Sequence, residues 1–157
     1  MQRTKDTFYM ALRERLAAAN PERTIVVEGA LRPAISVDEN ENVKPEEAFR
    51  LTWGACSPAG GGGRLMKMDC TVRYVTRGVD GASGDRGRTL GRLDEELLQM
   101  AHPQRAMQMD YSVVPAKSTG TMIFWTDLEF AAAKDEAGRM EREASTTVYF
   151  AAPEVSQ

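Results

Sequence analysis

Residues 65–76 of the chain read LMKMDCTVRYVT, and they show the clearest secondary-structure pattern in the sequence. Apolar and polar side chains alternate along this stretch, which is typical of a strand with one buried and one solvated face. The apolar positions are Met66, Met68, Cys70, Val72 and Tyr74. A strand that keeps a solvated face favours an antiparallel sheet over a buried parallel one.

Two helices are predicted on either side of this strand. The first ends before Asn20 and Pro21, with Thr4 or Asp6 as its N-cap, and the second ends at His102, before a proline. Apolar residues recur at helical spacing in both. These stripes are Phe8, Leu12 and Leu16 in the first helix, and Leu90, Leu93, Leu97 and Met100 in the second.

Further strands are predicted within residues 23–29, 32–42, 49–53, 106–114 and 121–130. The acidic stretch 38–42 reads as a solvated turn. The expected buried faces of the two later strands are Met107, Met109, Tyr111 and Val113, and Met122, Phe124, Leu128 and Phe130. Residues 131–151 combine helix-forming composition with strand propensity. Two antiparallel strands joined near residues 135–138 fit them best.

The order of these elements predicts one α+β domain over residues 1–157, with a mostly antiparallel sheet and two helices packed on one face. A chain of 157 residues is long enough to bury a core without metals or disulfides. Two connections, near residues 54–63 and 77–87, are long for a domain of this size and are expected to be flexible. The first includes four consecutive glycines, which have little backbone preference.

Composition argues against several classes of function. The chain has 20 Lys and Arg against 23 Asp and Glu, a net charge of −3, and no block of basic residues. We therefore expect no general binding of nucleic acid through phosphate contacts. Charges occur throughout residues 1–16, so we expect no signal peptide, no membrane partner, and synthesis in the cytoplasm.

Residues 81–89, GASGDRGRT, follow a strand and precede a helix, which is the order found in phosphate-binding loops. However, five residues rather than four separate the glycines that would frame a Walker loop, and Arg88 stands where its lysine would be. We favour a surface loop in which Asp85 or Thr89 caps the following helix. Anion binding at residues 81–89 remains an alternative.

Residue types that perform catalysis do not converge in the sequence. His102 is the only histidine, and Cys56 and Cys70 belong to no C-x-x-C motif, so neither a catalytic triad nor a zinc site is supported. Carboxylates such as those at residues 94–96 read as a solvated helix face. We therefore expect no enzyme activity, no metal and no cofactor.

The second long connection carries several charged side chains. Mixed charges on a mobile loop suit contact with a neighbouring protein, or the lining of a pore. Arg77, Asp85, Arg86 and Arg88 are the resulting candidates for a subunit interface or a lumen.

The layout of the chain resembles the tail-terminator, or tail-completion, proteins of long-tailed bacteriophages and prophages. The most similar part is residues 30–41, ALRPAISVDENE, where a short strand leads into a second strand with an acidic end. The helix at residues 90–100, LGRLDEELLQM, and the strand at residues 124–132, FWTDLEFAA, are similar in position. The resemblance covers nearly the whole chain and rests on element order and length.

This resemblance implies a structural function. Copies of the chain, about six, would form a ring that caps the tail tube, ends its polymerisation and joins it to the head connector. The implied partners are other copies of the chain, the tail-tube protein and the connector, with DNA passing through the lumen without sequence-specific contacts. The implied location is the virion tail, after assembly in the bacterial cytoplasm. The alternative is a small ligand-binding or regulatory α+β domain, with residues 81–89 as an anion site.

Overall fold

Two helices and ten strands make up the part of the chain that the computed structural model describes, residues 1–37, 46–79 and 83–152. In chain order they are α1 (Gln2–Ala19), β1 (Thr24–Val27), β2 (Ala30–Pro33), β3 (Ile35–Val37), β4 (Phe49–Pro58), β5 (Leu65–Thr76), α2 (Ser83–Met100), β6 (Arg105–Asp110), β7 (Lys117–Trp125), β8 (Glu129–Phe130), β9 (Lys134–Glu136) and β10 (Arg139–Ala151).

Strand β10 lies at the centre of an eight-stranded sheet. The strand order is β3-β4-β5-β10-β7-β6, and the short strands β8 and β9 also pair with β10. Every pairing in this sheet is antiparallel except that of β3 with β4. Strands β1 and β2 form a separate two-stranded hairpin. The predicted α+β class with a mostly antiparallel sheet is confirmed.

Both helices pack on the same face of the main sheet and share one core with it. The helix stripes predicted from the sequence are all buried. Phe8 of α1 meets Trp53 and Trp125 edge-on, with ring centroids 5.5 and 5.0 Å apart. Such edge-to-face contacts match the positive ring edge to the negative ring face. Within residues 1–37, 46–79 and 83–152, no helix lies on the opposite side of the sheet, which is called the open face below.

The central pair of strands forms as the alternating pattern predicts. Strand β5 has the predicted bounds and pairs with β10 along its whole length, from Leu65–Ala151 to Thr76–Met140. The ambiguous stretch 131–151 is extended rather than helical. Strands β9 and β10 are joined by Ala137 and Gly138, which both have positive φ.

The predicted buried faces of β6 and β7 are wrong. Gln108 is buried in β6 while Met107 is 53% exposed, and in β7 the buried residues are Ile123 and Trp125 rather than Phe124. The Trp125 indole N–H donates a hydrogen bond of 2.9 Å to the carbonyl of Ala101, which holds the ring on the helix side. Since residues 122–125 are all apolar, alternation alone could not decide which pair faces the core.

Helix α1 begins at Gln2, before both predicted caps. The hydroxyl of Thr4 is buried and lies 3.3 Å from the side-chain oxygen of Gln108, so it serves packing between helix and sheet instead of capping. Asp6 lies one turn into the helix and accepts a hydrogen bond of 2.8 Å from the Gln2 amide.

Both long connections are shorter than predicted. Strand β4 continues through Pro58, so residues 54–58 belong to a strand and the β4–β5 connection is residues 59–64. Helix α2 begins at Ser83, so the predicted loop does not extend to residue 87. The predicted acidic turn at residues 38–42 lies outside the described residues.

Candidate functional site

The connection into α2 is organised around Asp85. Its carboxylate accepts a hydrogen bond from the backbone N–H of Val79, and Asp85 lies in the first turn of α2, where negative charge is favoured. Gly78 has φ +74°, and a Cβ there would lie 2.6 Å from an Asp85 carboxylate oxygen. The Asp85 side chain, in the first turn of α2, therefore holds the preceding connection in place. Glycine at position 78 lets the backbone come close to this carboxylate, because it has no Cβ.

This arrangement disfavours an anion at residues 81–89. An anion at the start of α2 would meet the carboxylate of Asp85, which already takes up the positive end of the helix. Thr89 is buried and accepts a hydrogen bond of 3.2 Å from Arg92, so its hydroxyl is directed into the fold. Residues 80–82 lie outside the described part of the chain.

The four predicted interface residues do not share one role. Arg86 is only 11% exposed and pairs with Asp135 of β9. Arg77 pairs with Glu46 at 2.6 Å, with both side chains about half exposed, and Arg88 is exposed. The structure thus uses Asp85 and Arg86 inside the fold and presents Arg77 and Arg88 at the surface.

A polar network joins α2 to the centre of the sheet. The Tyr74 hydroxyl donates a hydrogen bond to Asp94, and the Arg142 guanidinium donates two more to the same carboxylate, at 3.1 and 3.2 Å. Burial raises the pKa of Tyr74, and the hydrogen bond with Asp94 raises it further. A tyrosine with a raised pKa holds its proton at neutral pH, so the Tyr74 hydroxyl can donate this hydrogen bond to Asp94.

A second ion pair joins α2 to the start of the β1–β2 hairpin. Glu96 accepts hydrogen bonds of 2.9 Å from Arg23 and 2.8 Å from Asn20. The Arg23 guanidinium also lies over the Phe49 ring, 5.7 Å from its centroid. The expectation that residues 94–96 form a solvated face is therefore wrong for Asp94 and Glu96, because their partners come from distant parts of the chain.

The open face carries a row of large side chains, exposed Met107, Met122 and Phe124 and half-buried Tyr149, called the open-face stripe below. Met107 is a register partner of Met122, and Phe124 of Tyr149, so each pair lies side by side on one face. The Phe124 and Tyr149 rings stack with centroids 5.1 Å apart and planes 7° apart. Met107, Met122 and Phe124 are 53%, 46% and 43% exposed. The sequence pattern predicted these three residues in the core. The four consecutive apolar residues 122–125 indicated that both faces of β7 are apolar, and hence that one apolar pair is exposed.

Basic residues flank this stripe on both sides. Lys67 of β5 is the register partner of Tyr149, and Arg105 of β6 is the partner of Phe124. Both side chains are exposed. The row across four strands is therefore Lys67, Tyr149, Phe124 and Arg105, with two aromatic rings between two positive charges.

A second exposed apolar feature lies on the β1–β2 hairpin. Val26 and Leu31 are register partners, and they are 68% and 73% exposed. Ile25 points to the other face of the hairpin and packs against the core. Glu22 and Glu28 are exposed at the two ends of β1. The hairpin thus presents an apolar pair between two carboxylates.

A cleft of about 820 Å³ lies between β7 and the end of β10. It opens because β7 pairs with β10 only through Trp125–Val148 and Phe124–Tyr149. Its walls include Thr119, Thr121 and Gln108. Arg3 and Arg64 also line the cleft, and none of the described residues in its walls is a carboxylate or a histidine.

No protein-family model matches the chain, and no curated protein matches it. Within residues 1–37, 46–79 and 83–152, no three His, Cys, Asp or Glu side chains are grouped so that they could hold a metal ion. Neither α1 nor α2 is apolar enough over a sufficient length to cross a membrane.

Proposed function

We propose that this chain is a structural subunit that assembles with copies of itself into a ring, in the manner of the phage tail terminators that its layout resembles. The ring, of about six copies, would cap a tail tube, end its polymerisation and join it to a head connector. It would be assembled in the bacterial cytoplasm and become part of the virion tail.

The observation that supports this proposal is the open-face stripe. Contiguous apolar surface of this kind on a soluble domain usually marks a contact with another macromolecule. Aromatic side chains and methionine are also enriched in protein interfaces. The stripe lies on the only helix-free face of the main sheet in the described part of the chain, so assembly can cover it without rearranging the core.

Assembly state tests the first part of the proposal. We expect light scattering on the purified full chain to give a mass several times 17.3 kDa, and electron microscopy to show closed rings. Phe124→Lys places a charge within the stripe and should shift the protein towards single copies. Ser145→Lys adds the same charge at an exposed position of β10 outside the stripe and should leave the ring intact. Single copies of the unaltered chain at high concentration would contradict the ring.

Tail length tests the second part. In the phage or prophage that encodes this chain, deletion of its gene should give tail tubes of uncontrolled length that lack heads. Restoring the unaltered gene should restore tailed particles, whereas the Phe124→Lys gene should not. Normal particles made without the gene would exclude the terminator function while leaving self-assembly open.

A further inference from the structure

We propose that the β1–β2 hairpin of one copy is the element that covers the open-face stripe of the next copy. This inference rests on the proposed function, because it names the two surfaces that meet in the ring. It assigns the contact to the pair Val26 and Leu31 on the hairpin side.

The two surfaces lie on different sides of the molecule. The hairpin directly follows Arg23, which forms an ion pair with Glu96 of α2. Strand β2 of the hairpin also contacts α1. It therefore sits on the helix-covered side of the sheet, whereas the stripe lies on the opposite, open face. A hairpin anchored in this way cannot cover the stripe of its own copy, so the contact must join two copies.

The two surfaces are complementary in polarity and charge. The hairpin has an apolar pair between the carboxylates of Glu22 and Glu28, and Arg32 lies on its other face, beside Ile25. The stripe has two stacked rings between Lys67 and Arg105. Docking the hairpin on the stripe therefore brings apolar surface onto apolar surface and places carboxylates near basic groups. Such charge complementarity favours the hairpin over a second stripe as the partner, because two stripes would bring basic groups together.

The contact is heterologous, since each copy uses one surface towards one neighbour and a different surface towards the other. Heterologous contacts generate a ring when the rotation between neighbours closes, and an open filament when it does not. A contact of the stripe with a second stripe would instead be isologous and would stop at two copies. The hairpin-to-stripe contact is thus the one that agrees with a ring.

Mixing two defective variants tests this inference. Val26→Lys damages the hairpin and leaves the stripe, while Phe124→Lys damages the stripe and leaves the hairpin. Each variant alone should be monomeric by light scattering, at 17.3 kDa. An equal mixture should form a dimer of twice that mass, because one intact hairpin then meets one intact stripe. Val114→Lys, at a 98% exposed valine outside both surfaces, is the matched control and should assemble like the unaltered chain.

The outcomes separate this inference from the proposed ring. If the unaltered chain forms rings but Val26→Lys also forms rings, or if the mixture remains monomeric, the hairpin contact is wrong and the ring stands. If the unaltered chain is monomeric, the ring itself fails. Circular dichroism on each variant shows that loss of assembly is not loss of folding. A cross-link between Val26→Cys of one copy and Met122→Cys of another, in rings with Cys56 replaced by serine, would support the contact directly.

Discussion

Arg86 donates two hydrogen bonds, 3.1 and 3.2 Å long, from one guanidinium nitrogen to both carboxylate oxygens of Asp135. This contact joins α2 to the β9–β10 hairpin across 49 residues of sequence. Its position within the fold explains why an arginine that looks like a solvent-exposed loop residue in the sequence is almost covered in the structure.

Replacing this arginine should destabilise the protein. Arg86→Ala removes a charge-assisted contact and the packing of its side chain, and should lower the free energy of unfolding by about 1–2 kcal/mol, since Asp135 remains partly solvated. Arg88→Ala, at an exposed position two residues away, should change it by less than about 0.5 kcal/mol. Urea denaturation of both variants measures the difference. Equal losses would show that the ion pair with Asp135 contributes nothing.

Gly78 should be more sensitive to substitution than another glycine with the same backbone angle. Gly78 and Gly61 both have φ +74°, but a Cβ at Gly78 would meet Asp85 at 2.6 Å, whereas at Gly61 it would meet nothing within 4 Å. Gly61→Ala should cost about 1 kcal/mol from backbone strain alone, and Gly78→Ala about 1–3 kcal/mol more. The difference between the two unfolding free energies isolates the crowding at Asp85. Equal unfolding free energies for the two variants would show that the backbone at residue 78 moves away from Asp85 without a loss of stability.

The two cysteines should react with thiol reagents at different rates. Burial raises the pKa of the Cys70 thiol to about 12, so almost no thiolate is present at pH 8, and Cys56 is only half buried. We expect Ellman's reagent to modify one thiol per chain in the native protein and two after unfolding. Cys56→Ser should abolish the native reaction, and Cys70→Ser should leave it. Fast native labelling of Cys70 would show that the sheet opens there.

Stability should fall at high pH partly through Tyr74. Its pKa is raised by burial and by Asp94, so the folded state keeps a proton that the unfolded state loses above about pH 10. The contribution is therefore fully present below pH 10 and is lost as the pH rises further. Tyr74→Phe should reduce the slope of unfolding free energy against pH by about 1 kcal/mol per pH unit between pH 10 and 11. Identical slopes for the two proteins between pH 10 and 11 would contradict this assignment.

The parts of the fold that followed from the sequence are those set by local patterns. In strand β5 and in both helices most of the large apolar residues lie on one face, so periodicity located their buried sides. Strands β6 and β7 have large apolar residues on both faces. There, the choice depends on contacts such as that of Trp125 with Ala101, which no local pattern shows.

The candidate surfaces were harder to predict than the fold. Asp94 meets Arg142 across 48 residues, and Arg23 meets Glu96 across 73, so charged residues that look solvated in the sequence are paired in the structure. The open-face stripe has residues from β6, β7 and β10. Its members become one surface only through the strand order, and that order is a tertiary property.

The central place of β10 has a consequence for the timing of synthesis. Its partners β5 and β7 emerge from the ribosome well before residues 139–151 do, and neither can complete its hydrogen bonding until then. Tyr149 arrives with the same strand, so the stripe is finished only when the sheet closes. A nascent chain therefore lacks the complete open-face stripe until β10 has been synthesised. On the proposed assembly, this order of synthesis would disfavour premature joining to finished subunits.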